Sequence, residues 1–270
     1  MTKLIYIGGY GRSGSTLLEN LMTMSADVVA CGETVNALRL PVESRMCSCG
    51  RRANECPIWG NLLASPKGLE VGSHKNLDLA LLKLVAARRA IMIDSSKTAW
   101  AGAIQPFKLR RALSKEIQLV HLVRNPCAVC WSIVRGELRR SNYKIRWINV
   151  QRLYTTSAMG WIVANLACEL FARLYPHQYH RVRYEDIANS PHEVVDDLFH
   201  RVCPEVDRHF KEIGNNDNRH QLFGNKPHRT RTYSPSDIRI DDEWRQLMPT
   251  ASRRLVEILT VPLRVRYGYT

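Results

Sequence analysis

The stretch Gly9-Tyr10-Gly11-Arg12-Ser13-Gly14-Ser15-Thr16 constrains this chain more than any other, because it joins an apolar run to a segment with helical periodicity. Lys3 to Gly8 reads as a buried strand, and Ser15 to about Met24 as a helix with Leu17, Leu18, Leu21 and Met22 turned inward. A glycine-rich turn between such elements presents successive backbone N–H groups at a helix N-terminus, where the helix dipole also favours an anion. A Walker A loop would carry lysine before its final Ser/Thr, but that position is Ser15, and the nearest cation is Arg12. The loop therefore suits a phosphate ester other than a nucleoside triphosphate held by that lysine.

The remaining pattern extends this unit. Ala90 to Asp94 and Ile117 to Val123 are short continuous apolar runs, as expected of parallel strands buried on both faces, and a further strand is expected over Tyr179 to Arg183. A short strand is expected over Asp27 to Cys31, and helices over Pro126 to Glu137 and Val150 to about Tyr175. Strands alternating with helices predict an α/β fold, a central and mostly parallel sheet flanked by helices, like that of the P-loop NTPases. With 270 residues the expectation is a single domain, 1–270, with ligands at the carboxyl ends of its strands. The stretch 215–236 is polar, basic and rich in Asn, His, Arg and Pro, which reads as a long functional loop. No run approaches the roughly 20 apolar residues of a spanning helix. The N-terminal apolar run breaks on glycines before reaching signal-peptide length, so a cytoplasmic protein without membrane insertion is expected.

A second anion station follows the strand at Val123. Arg124 closes that strand, Pro126 opens a helix, and Ser132 lies on it, so charge-assisted hydrogen bonds can reach a phosphate separate from the one at the glycine loop. Gly-Tyr-Gly-Arg-Ser-Gly-Ser-Thr, and Leu-Val-Arg-Asn-Pro with a serine eight residues after the arginine, resemble the cofactor-binding elements of sulfotransferases that use 3′-phosphoadenosine 5′-phosphosulfate (PAPS). Tyr184-Glu185-Asp186, Gly224-Asn225-Lys226, Cys31-Gly32-Glu33 and Asp94-Ser95-Ser96-Lys97 extend the resemblance along nearly the whole chain.

The resemblance implies that Gly11, Arg12, Ser13, Gly14, Ser15 and Thr16 bind the 5′-phosphosulfate and that Arg124 and Ser132 bind the 3′-phosphate. Tyr184 would lie near the adenine, and Gly224 and Asn225 would begin a covering loop within 215–236. It implies direct in-line transfer to a hydroxyl or amine without a metal, leaving 3′-phosphoadenosine 5′-phosphate (PAP). Cations placed where charge builds on the leaving oxygen assist the transition state, with Arg12 the first candidate and Lys97 the second. The attacking group must lose a proton; the resemblance assigns that task to Glu33, with His121 in reserve. Glu33 also suits the N-terminus of a helix beginning near Thr34, and Lys97 suits an exposed loop.

Three cysteines, Cys47, Cys49 and Cys56, fall within about 40–60, a segment expected on the acceptor side. Cys-x-Cys departs from the usual Cys-x2-4-Cys zinc frame and Cys31 is only a candidate fourth ligand, so no metal ligands are assigned; thiols, a disulfide and zinc stay open. The balance of 39 basic against 25 acidic residues suits small polyanions, an anionic surface or nucleic acid. Arg135 to Arg152 adds six basic residues against one acidic, with Tyr143 and Trp147 interleaved. No nucleic-acid fold is recognisable beside these motifs, so the expected partner is a small-molecule or glycan acceptor, anionic ones included. A nucleotide kinase and a non-catalytic polyanion-binding protein are the alternative classes.

Overall fold

In the computed structural model, strands form where the apolar pattern is unbroken: β1 (Leu4–Gly8), β2 (Val28–Ala30), β3 (Ile91–Asp94), β4 (Ile117–Val123) and β5 (Tyr179–Arg183). The structure describes residues 3–24, 28–38, 45–64, 74–87, 90–142, 144, 146–205, 218–224 and 238–269. All five strands are parallel, in the order β2-β3-β1-β4-β5, with β1 central. The expected α/β architecture, one parallel sheet flanked by helices, is thus observed.

Because side chains alternate across a strand, β1 sends Leu4 and Tyr6 to one face and Ile5 and Ile7 to the other. The first face packs with Met92, Leu119, Trp59, Leu77, Leu81 and Phe171, the second with Leu18, Met22, Val120, Leu198 and Phe199. The helices behind the first face are α2 (Trp59–Leu63), α3 (His74–Ala86), α4 (Gln105–Leu113) and α6 (Trp147–Leu174). Those behind the second are α1 (Ser15–Met22), α7 (Tyr184–Asn189) and α8 (Pro191–Val202). Helix α5 (Pro126–Arg140) follows β4 directly; Pro126 sits in its first turn, and the Asn125 side chain caps it by accepting from the Cys127 N–H at 2.9 Å. It packs with α6 and the C-terminal helix Thr250–Arg266 around Tyr154, Trp244 and Val256. Among the described residues no helix is long and apolar enough to cross a membrane.

The outer edge of β2 is covered rather than open. Ala30 bridges to Arg219, and the His220 N–H donates to the Ala30 carbonyl at 2.8 Å. This short segment, 218–224, is the described part of the long basic loop; Asn225 and Lys226 lie outside the described residues.

Candidate active site

The glycine loop closes where β1 ends, and its shape is set by tight packing. Gly14 adopts φ +99°, and a Cβ there would stand 2.5 Å from the Tyr184 ring, so only glycine lets that ring cover the loop. Thr98 fastens the near end: its N–H donates to the Gly9 carbonyl at 3.2 Å, and its hydroxyl accepts from the Gly9 N–H at 3.0 Å. Above Gly11 the space is open, with nothing within 4 Å of where a side chain would begin. Gly224 approaches Thr16 closely enough that a Cβ would sit 3.3 Å from its Oγ1. The end of the 218–224 segment thus lies against the loop, as the motif order implies.

The flank formed by β2 and β3 carries the candidate chemistry. Lys97, just past β3, donates to Ser15 Oγ at 2.5 Å and to the Ser95 carbonyl at 3.0 Å. On its other side stands Glu33, whose Oε1 is 3.2 Å from the ammonium. Lys97 therefore brings to the loop, from a neighbouring strand, the cation that Ser15 replaces in the sequence. The second Glu33 oxygen accepts from Asn36 Nδ2 at 2.9 Å, so the carboxylate is fixed at both ends. A short 3₁₀ turn, Thr34–Leu38, begins next to it, and the Glu33 side-chain oxygens meet Lys97 and Asn36. Beneath this pair, Asp94 Oδ1 accepts from the Ser96 N–H and hydroxyl at 2.9 and 2.7 Å, and the Thr34 hydroxyl donates to Asp78 at 2.7 Å.

Sequence reasoning missed Glu19. One helical turn beyond Ser15 and fully buried, it accepts from the Gly32 N–H at 3.1 Å, the Ser95 hydroxyl at 3.0 Å and Gln221 Nε2 at 2.8 Å. Those three donors come from the ends of β2 and β3 and from the 218–224 segment, so one carboxyl gathers every element around Lys97. Burial raises its pKa to about 8, against the pull of the Ser95 hydrogen bond and the nearby Lys97 charge. No local signal marks it: helical spacing sets Glu19 about 130° from the centre of the Leu17, Leu18, Leu21 and Met22 stripe.

The opposite flank, β4 with α5 and α7, gathers arginines. Arg124 is buried, lies over the Tyr184 ring at 4.2 Å, and donates from Nη1 to the Arg12 carbonyl at 3.0 Å. Its Nη2 is 3.5 Å from Asp241, which also faces Arg135 at 3.6 Å, while Arg135 pairs with Glu243. Arg124 Nε is buried with no hydrogen-bond partner, an orphan that a ligand oxygen would satisfy. A pocket of about 190 Å³ opens here, lined by Arg124, Tyr184, Asp241 and Trp244 among others. Arg12 holds φ +67°, and its Nη2 lies 3.5 Å from where a Cβ of Gly136 would stand, placing its guanidinium toward α5. Ser132 is half-buried one turn before Gly136, so helical spacing puts both on the face toward Arg12.

Two expectations need correction. His121 is fully buried in β4 between the Tyr179 hydroxyl and Asn165 Oδ1, each at 2.7 Å, and burial lowers its pKa to about 4. It is a core residue with both ring nitrogens engaged and is no reserve base. Cys31 is not the companion of the clustered cysteines: Cys47, Cys49 and Cys56 gather instead around His220, and none of the eight cysteines is in a disulfide.

Neither the family models nor the curated proteins give a match to this chain. Solved structures do. The sulfotransferase domain from the curacin biosynthetic pathway aligns at 19% identity and TM-score 0.60, over 97% of this chain and 98% of that one. The sulfotransferase domain from the Synechococcus PCC 7002 olefin synthase aligns at 18% identity and TM-score 0.61, over 100% of this chain and 97% of that one. Mouse sulfotransferase SULT7A1, solved with PAP, aligns at 11% identity and TM-score 0.56, over 97% of this chain and 84% of that one. At such identities the shared property is the fold, and it spans the whole chain.

Proposed function

We propose that this chain, which has the fold shared by those sulfotransferases, moves a sulfuryl group from PAPS to a hydroxyl or amine of a small-molecule or carbohydrate acceptor. The observation that carries the reading is Lys97, held between Ser15 of the glycine loop and the Glu33 carboxylate. The residues present fit the donor. A loop rich in backbone N–H groups with open space at Gly11 suits the 5′ end, and buried Arg124, with its orphaned Nε and its stacked Tyr184, suits a 3′-phosphate beside adenine. Ser132 lies on the same side, and Gly224 closes over Thr16.

Bound there, PAPS would supply an activated sulfuryl group. Glu33 would accept the proton that the acceptor gives up. Lys97 and the N–H groups of Ser13 to Thr16 would offset negative charge growing at the loop, and they are in place before the reaction begins, so no reorganisation is needed. Arg12, a permanently charged planar fork, would add to that field from the α5 side but would hold its proton throughout. The acceptor would approach Glu33 from the side of the 45–59 segment. The absence of a Walker lysine in the loop and the ion pair of Lys97 with a carboxylate argue against a kinase.

Calorimetric titration of the purified protein with PAP, AMP and ATP, without and with Mg2+, tests this. Micromolar binding that requires the 3′-phosphate and ignores Mg2+ is expected. Preference for ATP with Mg2+ would turn the reading to a nucleotide kinase, and equal weak binding of all three would leave a polyanion-binding protein.

A further inference from the structure

Cys47, Cys49, Cys56 and His220 bring one ligand atom each into a space where all four lie within 4.8 Å of one another. The geometry points to a structural zinc ion held by Cys47, Cys49, Cys56 and the Nδ1 atom of His220.

Two of the ligand-atom distances match that ion. A tetrahedral zinc with Zn–S of about 2.3 Å and Zn–N of about 2.0 Å spaces its sulfurs about 3.8 Å apart and sulfur from nitrogen about 3.5 Å apart. Cys56 Sγ lies 3.7 Å from Cys47 Sγ and 3.3 Å from His220 Nδ1. The sulfurs are too far apart for a disulfide, whose S–S bond is about 2.05 Å. Three thiolates and one imidazole form a closed donor set, which favours zinc in a structural role over harder cations.

The surrounding backbone is shaped for such a set. Cys47-Ser48-Cys49-Gly50 forms a tight knuckle: the Gly50 N–H donates to the Cys47 carbonyl at 3.0 Å, the Cys47 N–H to the Arg51 carbonyl at 2.8 Å, and Met46 bridges Arg52. Gly50 takes φ +82°, a conformation that favours glycine, and this turn brings Cys49 back beside Cys47. His220 is held from behind by Trp59, whose Nε1 donates to its carbonyl at 2.6 Å. It is 1% exposed, and its Nδ1 faces the Cys56 sulfur. A buried imidazole whose described polar contact is a thiol gains most from a metal at that position.

The role follows from which segments the ion joins. It links the knuckle to 218–224, whose next residue, Gln221, donates to Glu19 and exchanges hydrogen bonds with Ser48, and whose Gly224 lies on Thr16. Zinc would thus pin the segment that covers the edge of β2 and supports the glycine loop. Binding is not redox: the thiols that are protonated release their protons to solvent as the metal binds.

The test is elemental analysis of the full chain, expressed without a histidine tag and purified without chelator, followed by reconstitution with Co2+. One zinc per chain is expected, together with the ligand-field bands of a tetrahedral, thiolate-rich Co2+ centre. Cys56→Ser should lose both. Since that variant risks misfolding, His220→Cys is the control for the fourth ligand: it should keep one metal per chain and shift the Co2+ spectrum toward an all-thiolate site. Folded protein that takes up no zinc on reconstitution, a Cys47–Cys56 disulfide, iron in place of zinc, or a Co2+ spectrum unmoved by His220→Cys would each overturn the assignment. None of these readouts uses PAP or turnover, so they stand apart from the test of the proposed activity.

Discussion

The two flanks of the glycine loop differ in what they do with charge. On the β2 and β3 side, Glu33 and Lys97 form an ion pair that remains partly open to solvent, stationed above a buried carboxyl, Glu19, that burial tends to keep neutral. On the β4 side, Arg124 is buried, spread over Tyr184 and only loosely countered by Asp241. The first arrangement leaves groups able to exchange a proton and balance a changing charge. The second leaves a fixed cation with an unused donor. One flank is suited to chemistry and the other to grip, and substitutions on each should separate turnover from affinity.

The sharpest break comes at Glu33. Glu33→Gln should lower turnover by about 10²- to 10⁴-fold while PAP affinity stays nearly constant. If PAP affinity falls as far as turnover in parallel calorimetry and single-turnover assays, the division between the flanks is wrong. Arg124→Ala should do the reverse, weakening PAP by roughly 10- to 150-fold, the loss of a buried charge-assisted hydrogen bond of about 1.5 to 3 kcal/mol. AMP, lacking the 3′-phosphate, should respond less, and an equal loss for AMP would place Arg124 elsewhere on the ligand. Asp241→Asn should strengthen PAP binding by only about 1.5- to 5-fold, since a half-exposed ion pair is weak, and added salt should shrink the gain.

The last effect concerns stability rather than activity. Glu19 has a folded pKa near 8 against an ordinary 4.5, so across that window the folded state keeps a proton that the unfolded chain releases. Its contribution is fully present below about pH 4.5, declines as pH rises, and is exhausted above about pH 8. Glu19→Gln should remove this decline, so that the variant gains stability relative to the parent between those limits in denaturant titrations run at several pH values. Parallel curves for the two proteins would mean that Glu19 is ionised in the fold.

What the sequence discloses follows from how local each signal is. Parallel strands announce themselves as uninterrupted apolar runs, and the loop after β1 has a fixed spelling. That Glu33 and Lys97 fall beside the glycine loop is legible because they follow β2 and β3, at the carboxyl ends of parallel strands. Arg124 is legible for the same reason. Glu19, Asp241 and His220 are not, because each acts on partners far along the chain: His220 lies 164 residues from Cys56, and no spacing rule links a polar loop to a cysteine knuckle across that distance. The placement of the two cations is also set only in three dimensions. The positive φ of Arg12 turns that residue toward α5, and the end of β3 delivers Lys97 to Ser15. His121 misleads because a strand interior hides which face a side chain meets, and here it meets Tyr179 and Asn165.

On the proposed reading, the hydrogen bond from Arg124 to the Arg12 carbonyl makes the two anion stations one thermodynamic system. A phosphate that orders the Arg124 guanidinium also steadies the backbone of the glycine loop, and an anion in the loop steadies Arg124 in return. Linkage makes that coupling free energy the same in both directions. A ligand with both phosphates then binds more tightly than its halves would suggest, and fragments bearing either phosphate alone should bind cooperatively when supplied together.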